Sequence, residues 1–197
     1  GLCVIFLAGV SIKVILALAA LMSLSGPLIW HFMHEYQRQR IYTLINPESD
    51  PLGSGYHIIQ SKIAIGSGGI FGKGWLTGSQ SHLNFLPEHA TDFIFAVSGE
   101  ELGFVGSALL IFLVVLLSLR GLQIAREAQT TYTRLLAASL TMTFFLSAFV
   151  NIGMVMGILP VVGIPLPLIS YGGTAMVTFL AGFGIGVSRS LVNLYLS

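Results

Sequence analysis

Two carboxylates, Glu88 and Asp92, stand four residues apart in Phe85-Leu-Pro-Glu-His-Ala-Thr-Asp-Phe-Ile-Phe, directly ahead of an apolar run. On a helix that spacing puts both on one face. A helix N-terminus favours the ionised carboxylate, which is the form a general base must have. The plainer reading is that Thr91 or Asp92 caps the helix, and the two roles are compatible. A second acid pair, Glu100-Glu101, falls about 12 Å further along the same helix. Acids at that depth face a protein interior or a water-filled cavity. Alternatively, Gly99 and Gly103 break the helix and leave the pair near the interface, matched with a base. The cations in reach are Arg38 and Arg40, in Tyr36-Gln-Arg-Gln-Arg, with Lys62 and Lys73. They either snorkel to headgroups or contact a lipid phosphate, for which a planar guanidinium is suited.

Other chemistries find little here. His31, His34, His57, His82 and His89 do not have the spacing of a zinc helix, and the lone Cys3 forms no pair, so no metal site is expected from them. Gly66-Ser-Gly-Gly-Ile-Phe-Gly-Lys-Gly lacks the order of a nucleotide-binding loop. The most informative stretch is Asn151-Ile-Gly-Met-Val-Met-Gly-Ile-Leu-Pro-Val-Val-Gly-Ile-Pro-Leu-Pro-Leu-Ile-Ser-Tyr-Gly-Gly-Thr-Ala. Its prolines and glycines leave backbone groups without helical partners at membrane depth. Such backbone is tolerated only where protein buries it or a polar cavity borders it. A re-entrant or broken segment beside a substrate site is expected.

The elements that position these residues follow from composition. Of the 197 residues 54% are hydrophobic and 9% charged, with mean hydropathy +0.86. Soluble domains carry roughly 25% charged residues. So few charges cannot coat a globule, and the bilayer must be the solvent. A net charge of +1 supplies no basic face for nucleic acid. The expected fold is an all-α polytopic membrane protein with about five transmembrane helices: residues 1–33 hold the first two, and 93–119, 135–156 and 172–188 the rest. Arg120, Arg126 and Arg134 mark 120–134 as a cytoplasmic loop, which places the long glycine-rich loop 34–92 on the extracytoplasmic side. A connection of that length implies a function, and Gly55–Ile65 within it suits a short interfacial helix. Gly1 opens inside an apolar run with no Met or basic region, as expected of a piece of a longer chain.

The stretch from Asn151 to Ala175, with Gly157-Ile-Leu-Pro160, Gly163-Ile and Leu168-Ile-Ser-Tyr-Gly-Gly-Thr-Ala, resembles the signature of the SEDS family (RodA, FtsW, SpoVE). Tyr36-Gln-Arg-Gln-Arg, Asn46-Pro-Glu-Ser-Asp-Pro-Leu-Gly, Gly55-Tyr-His-Ile-Ile-Gln-Ser-Lys-Ile-Ala-Ile-Gly and Phe85-Leu-Pro-Glu resemble the RodA branch. The resemblance implies the C-terminal half of a ten-helix protein of the bacterial cytoplasmic (inner) membrane. It implies a peptidoglycan glycosyltransferase that polymerises lipid II for cell elongation and shape, beside a class B penicillin-binding protein and other membrane proteins of the elongation complex. The half alone is expected to be inactive. The family's essential aspartate matches Asp92. The family commonly has His-Thr-Asp, whereas Ala90 here separates His89 from Thr91-Asp92.

The mechanism so implied is an inverting glycosyl transfer. Asp92 takes the acceptor hydroxyl's proton, and Glu88 orients Asp92 or strengthens it as a base. Arg38, Arg40, Lys62 or a divalent metal (Mg or Mn) offsets the charge of the pyrophosphate leaving group, and no other cofactor is expected. Gln60, Ser170, Gly172 and Gly173 complete the expected substrate-binding set. The rival readings are a lipid-precursor flippase or transporter, built on the same broken helices, and a non-catalytic scaffold for the penicillin-binding protein.

Overall fold

The computed structural model describes residues 12–50, 53–75, 77–78, 91–128, 130–171, 176–178, 180–182 and 184. Helices α1 (Ile12–Leu24) and α2 (Gly26–Phe32) divide what composition suggested was one span. Pro27 lies just past the division, and a proline has no N–H to continue the helical bonding of the preceding turn. Helix α3 (Glu35–Ile45), a 3₁₀ turn (Pro47–Ser49) and α4 (Ser54–Ser67) follow. Helix α5 runs from Ile94 to Glu127 and α6 from Thr131 to Val155. No strand occurs among the described residues.

Both α5 and α6 are long and apolar enough to cross a membrane, and α5 presents Phe104, Leu109 and Phe112 outward. They pack through small residues: a Cβ on Gly121 would overlap Thr141, and Ser118, Ala125 and Ala138 are buried nearby in sequence on the same helices. Small side chains let helix backbones approach closely where lipid supplies no hydrophobic drive between helices. The stretch 120–134, expected as a loop, is mostly helix: α5 continues through Arg120 and Arg126, and α6 opens on a Thr130 cap that accepts from the Thr133 amide at 3.2 Å.

Helix α5 is broken at Gly103, whose φ of 66° and ψ of −159° are not helical. The glycine-rich turn after α4 is spliced into that break. Lys73 and Gly74 amides donate to the Glu100 and Glu101 carbonyls, both at 3.0 Å, and the Phe104 and Val105 amides donate to Gly69 and Ile70 carbonyls at 2.9 and 3.1 Å. In an unbroken helix the Phe104 and Val105 amides would serve the Glu100 and Glu101 carbonyls instead. The exchange therefore leaves none of the four groups unpaired. It needs bare backbone: a Cβ on Gly72 would lie 2.0 Å from the Glu101 carbonyl oxygen, and one on Gly103 2.3 Å from the Gly72 nitrogen. Glu100 is fully buried and ion-paired to Lys73 at 2.7 Å, so the acid pair lies at a break and has a basic partner. From Phe104 to Glu127 the helix is about 36 Å long, enough for a roughly 30 Å hydrocarbon core, and the acids precede that length.

The core sits where α4, the first turns of α5 and the end of α6 converge. Phe93, Phe95, Phe144, Met154, Val155 and Leu166 are nearly inaccessible there. Helix α4 supplies Ile58, Ser61 and Ala64 to the interior, so its apolar face meets protein.

Candidate functional site

Asp92 lies in the turn Thr91–Phe93 at the head of α5, partly buried. The cap position is Phe93, which has no side-chain acceptor, so the capping role expected of Thr91 or Asp92 is not the one that opens this helix. The carbonyls of this turn are instead tied to the Pro/Gly segment that follows α6. The Ser170 hydroxyl donates to the Thr91 carbonyl at 2.5 Å and accepts from the Leu166 amide at 2.6 Å. The fully buried Asn151 amide donates to the Asp92 carbonyl at 2.8 Å and to the Ile164 carbonyl at 2.7 Å. Two carbonyls around one side-chain nitrogen settle the amide's orientation, since only its NH₂ end can serve both.

The rest of the segment is fastened in the same manner. Ser61 of α4 donates to the Val155 carbonyl at 2.9 Å, and Arg40 of α3 donates to the Val161 carbonyl at 2.8 Å. Side chains thus serve the carbonyls that prolines and glycines release from helical bonding. The segment is also conformationally costly: Leu168 has a φ of 66°, a region worth of order 1–3 kcal/mol of strain for a residue with a side chain.

Asp92's carboxylate abuts this segment at Gly163. A Cβ there would stand 3.2 Å from Asp92 Oδ2, and the φ of +78° already selects glycine. On Gly163 also borders a cavity of ≈ 360 Å³ lined by Tyr36, Gln39, Arg40, Asp50, Val161 and Val162. Lys62 runs past Gly157, where a Cβ would lie 2.7 Å from its Nζ. The ring of His57 rests against Phe93 with centroids 5.6 Å apart, and its Nδ1 is buried without a partner.

The residues expected from sequence divide accordingly. Asp92, Arg40, Lys62 and Ser170 all contact or border the Pro/Gly segment. Gln60 is partly buried on α4. Arg38 serves elsewhere: its guanidinium donates to the Trp30 carbonyl at 2.8 Å and the His31 carbonyl at 2.9 Å, pairs with Glu35 at 3.3 Å and lies over the Trp30 ring. A cation on the last carbonyls of α2 is favoured by the helix dipole and braces α2 against α3. Glu88, Gly172 and Gly173 lie outside the described residues, as do His89 and most of 172–188. Among the described residues no three carboxylate, imidazole or thiol groups converge, so the divalent-metal option finds no donor set there. Asn151 was quoted from sequence only as part of a motif. The signal for its role was a lone carboxamide on an otherwise apolar helix face, where an unpaired polar group is expensive.

The fold and site define an all-helical membrane protein that holds a carboxylate against non-helical backbone at one end of its bundle. The chain belongs to the cell cycle protein family of FtsW, RodA and SpoVE, whose model matches residues 1–192. It is 60% identical over 189 residues to peptidoglycan glycosyltransferase MrdB of Escherichia coli K12, covering 95% of this chain and 51% of that protein. It is 48% identical over 153 residues to peptidoglycan glycosyltransferase RodA of Treponema pallidum, covering 78% and 35% respectively. Stage V sporulation protein E of Bacillus subtilis is 41% identical over 197 residues, covering 99% of this chain and 53% of that one. A solved structure described as "Structural coordination of polymerization and crosslinking by a peptidoglycan synthase complex" superposes with a TM-score of 0.75 at 35% identity, over 95% of this chain and 52% of its own. The chain spans about half the length of the relatives it matches.

Proposed function

We propose that the protein containing this chain is a peptidoglycan glycosyltransferase that polymerises lipid II into glycan strands during elongation, with Asp92 as general base. The observation that carries the proposal is the approach of Asp92 Oδ2 to Gly163, in a chain 60% identical to a peptidoglycan glycosyltransferase. In this reading Asp92 removes the proton of the acceptor sugar's 4-hydroxyl as that oxygen bonds to the donor's anomeric carbon. The bond from that carbon to the lipid pyrophosphate breaks on the opposite face, inverting the centre. Lys62 faces the charge that collects on the leaving pyrophosphate, while the Arg40 guanidinium, anchored on the Val161 carbonyl, lines the neighbouring cavity. Arg38 is left out because the α2 carbonyls occupy its donors. Asn151 and Ser170 act indirectly: they hold the backbone on either side of the Asp92 Cα so that the carboxylate keeps its place.

The ten-helix inner-membrane architecture, with residues 34–92 outside and about five spans from this half, belongs to the same proposal. So does pairing with a class B penicillin-binding protein, which fits the described solved complex of polymerisation and crosslinking. Replacement of Asp92 by Asn in the full-length protein with its partner is expected to reduce polymerisation of purified lipid II by at least about 10³-fold, as for removal of a base from a concerted site. Its thermal unfolding should match the parent. Polymer synthesis within tenfold of the parent would reject the assignment.

A further inference from the structure

We infer that the cavity lined by Tyr36, Gln39, Arg40 and Asp50 is a saccharide subsite, which seats one N-acetylhexosamine ring of the substrate beside Asp92. The inference rests on the proposed glycosyltransferase reading and adds which part of the substrate occupies which wall. The volume of ≈ 360 Å³ lies at the small end of ligand sites, the size for one sugar ring rather than a lipid tail. Its chemistry points the same way. Planar amide, guanidinium and carboxylate groups exchange paired hydrogen bonds with neighbouring ring hydroxyls, and an aromatic face packs on a sugar's C–H face. A pyrophosphate would meet the Asp50 carboxylate in the same cavity, and like charges repel. A lipid chain would meet four polar side chains.

The walls are partly set before any ligand arrives. Arg40 is anchored on the Val161 carbonyl at 2.8 Å, which aims the remainder of its planar fork. The Tyr36 ring stacks on His34 with planes 14° apart, and its hydroxyl accepts from Gln37 at 3.2 Å. The Asp50 carboxylate lies over Gly53, where a Cβ would come 2.6 Å from Oδ1. Gly163 joins this cavity to catalysis. It borders the cavity and abuts Asp92 Oδ2, and as a glycine it places no side chain of its own between the two. A ring held against Val161–Gly163 has its hydroxyls next to the base.

The full-length protein should be assayed on purified lipid II with three variants: Gln39→Ala, Tyr36→Leu and Tyr36→Phe. Loss of uniform substrate binding raises KM more than it lowers kcat. Gln39→Ala and Tyr36→Leu should each raise KM about tenfold, the equivalent of a lost hydrogen bond or stacking contact, and Tyr36→Phe, which keeps the ring, should stay within threefold. The lipid-free N-acetylglucosaminyl–N-acetylmuramic acid disaccharide should compete in the parent and compete at least fivefold more weakly in Gln39→Ala. Unchanged KM and unchanged competition in Gln39→Ala, an exposed position whose replacement folds readily, would overturn the subsite. Competition by inorganic pyrophosphate that Gln39→Ala weakens, with the disaccharide unaffected, would overturn it in favour of a leaving-group site. Either result with Asp92→Asn inactive leaves the proposed base standing, whereas an active Asp92→Asn removes the base and spares the binding result.

Discussion

Helical backbone is interrupted twice near the same end of this bundle, and the two interruptions are satisfied by different means. At Gly103 the glycine-rich turn exchanges main-chain hydrogen bonds with α5, so the Glu100 and Glu101 carbonyls and the Phe104 and Val105 amides each meet another main-chain group. After Val155 the freed carbonyls are held by side chains from three other places: Ser61, Arg40 and Asn151, with Ser170 tying the segment to the turn of Asp92. A main-chain splice closes on itself and leaves nothing for a ligand. Side-chain fastening leaves gaps between the fasteners, and one of those gaps is the cavity at Gly163. The first interruption reads as structural and the second as the place for chemistry, although both are rich in glycine.

Three substitutions would break or sharpen this contrast. Asn151→Ala is expected to have the largest effect, lowering kcat about 10²-fold, because a displacement of order 1 Å at a base costs about that much. Its stability should fall by about 2 kcal/mol, since two partly buried carbonyls lose their donor. Thermal unfolding measured beside lipid II turnover separates the two effects, with Phe144→Leu, a core truncation on the same helix, as the matched destabilised control. Should Asn151→Ala lose stability yet keep its turnover per folded molecule, the second interruption would be structural like the first.

Gly103→Ala tests the other side. A methyl group would meet Gly72 and Ile70 backbone at 2.3 and 2.7 Å in a left-handed conformation. A loss of about 3 kcal/mol is expected, with turnover by the folded fraction near the parent's; a selective loss of turnover would tie the splice to catalysis. The smallest effect is expected of Lys73→Met. It leaves the buried Glu100 without its cation, at a cost of roughly 1–2 kcal/mol after allowance for the one-third exposure of the Lys73 side chain. Adding Glu100→Gln should recover most of that loss in a double-mutant cycle. Failure to recover it would mean that the pair contributes little beyond the main-chain splice.

Sequence reading did well where a physical requirement is local. The shortage of charge demanded a membrane, the run of Pro160, Pro165 and Pro167 demanded broken backbone, and Gly103 beside Glu100-Glu101 offered a break with an acid that needs a base. It did less well where one side chain has several equally sound local uses. Arg38 and Arg40 are two residues apart in one motif, yet one braces α2 and the other holds the Val161 carbonyl across 121 residues of chain. Thr91 and Asp92 have the right types for a helix cap, but Phe93 occupies that position.

What the sequence by itself determined was the solvent, the helical class and the two stretches that cannot be helix, because hydropathy, proline and glycine act through the nearest few residues. Only the tertiary structure decided which partners those stretches find. A freed carbonyl is indifferent to whether an amide, a hydroxyl or a guanidinium serves it, and the choice rests on which helix packing brings alongside. That packing set Asp92 against Gly163, and no spacing along the chain specifies it.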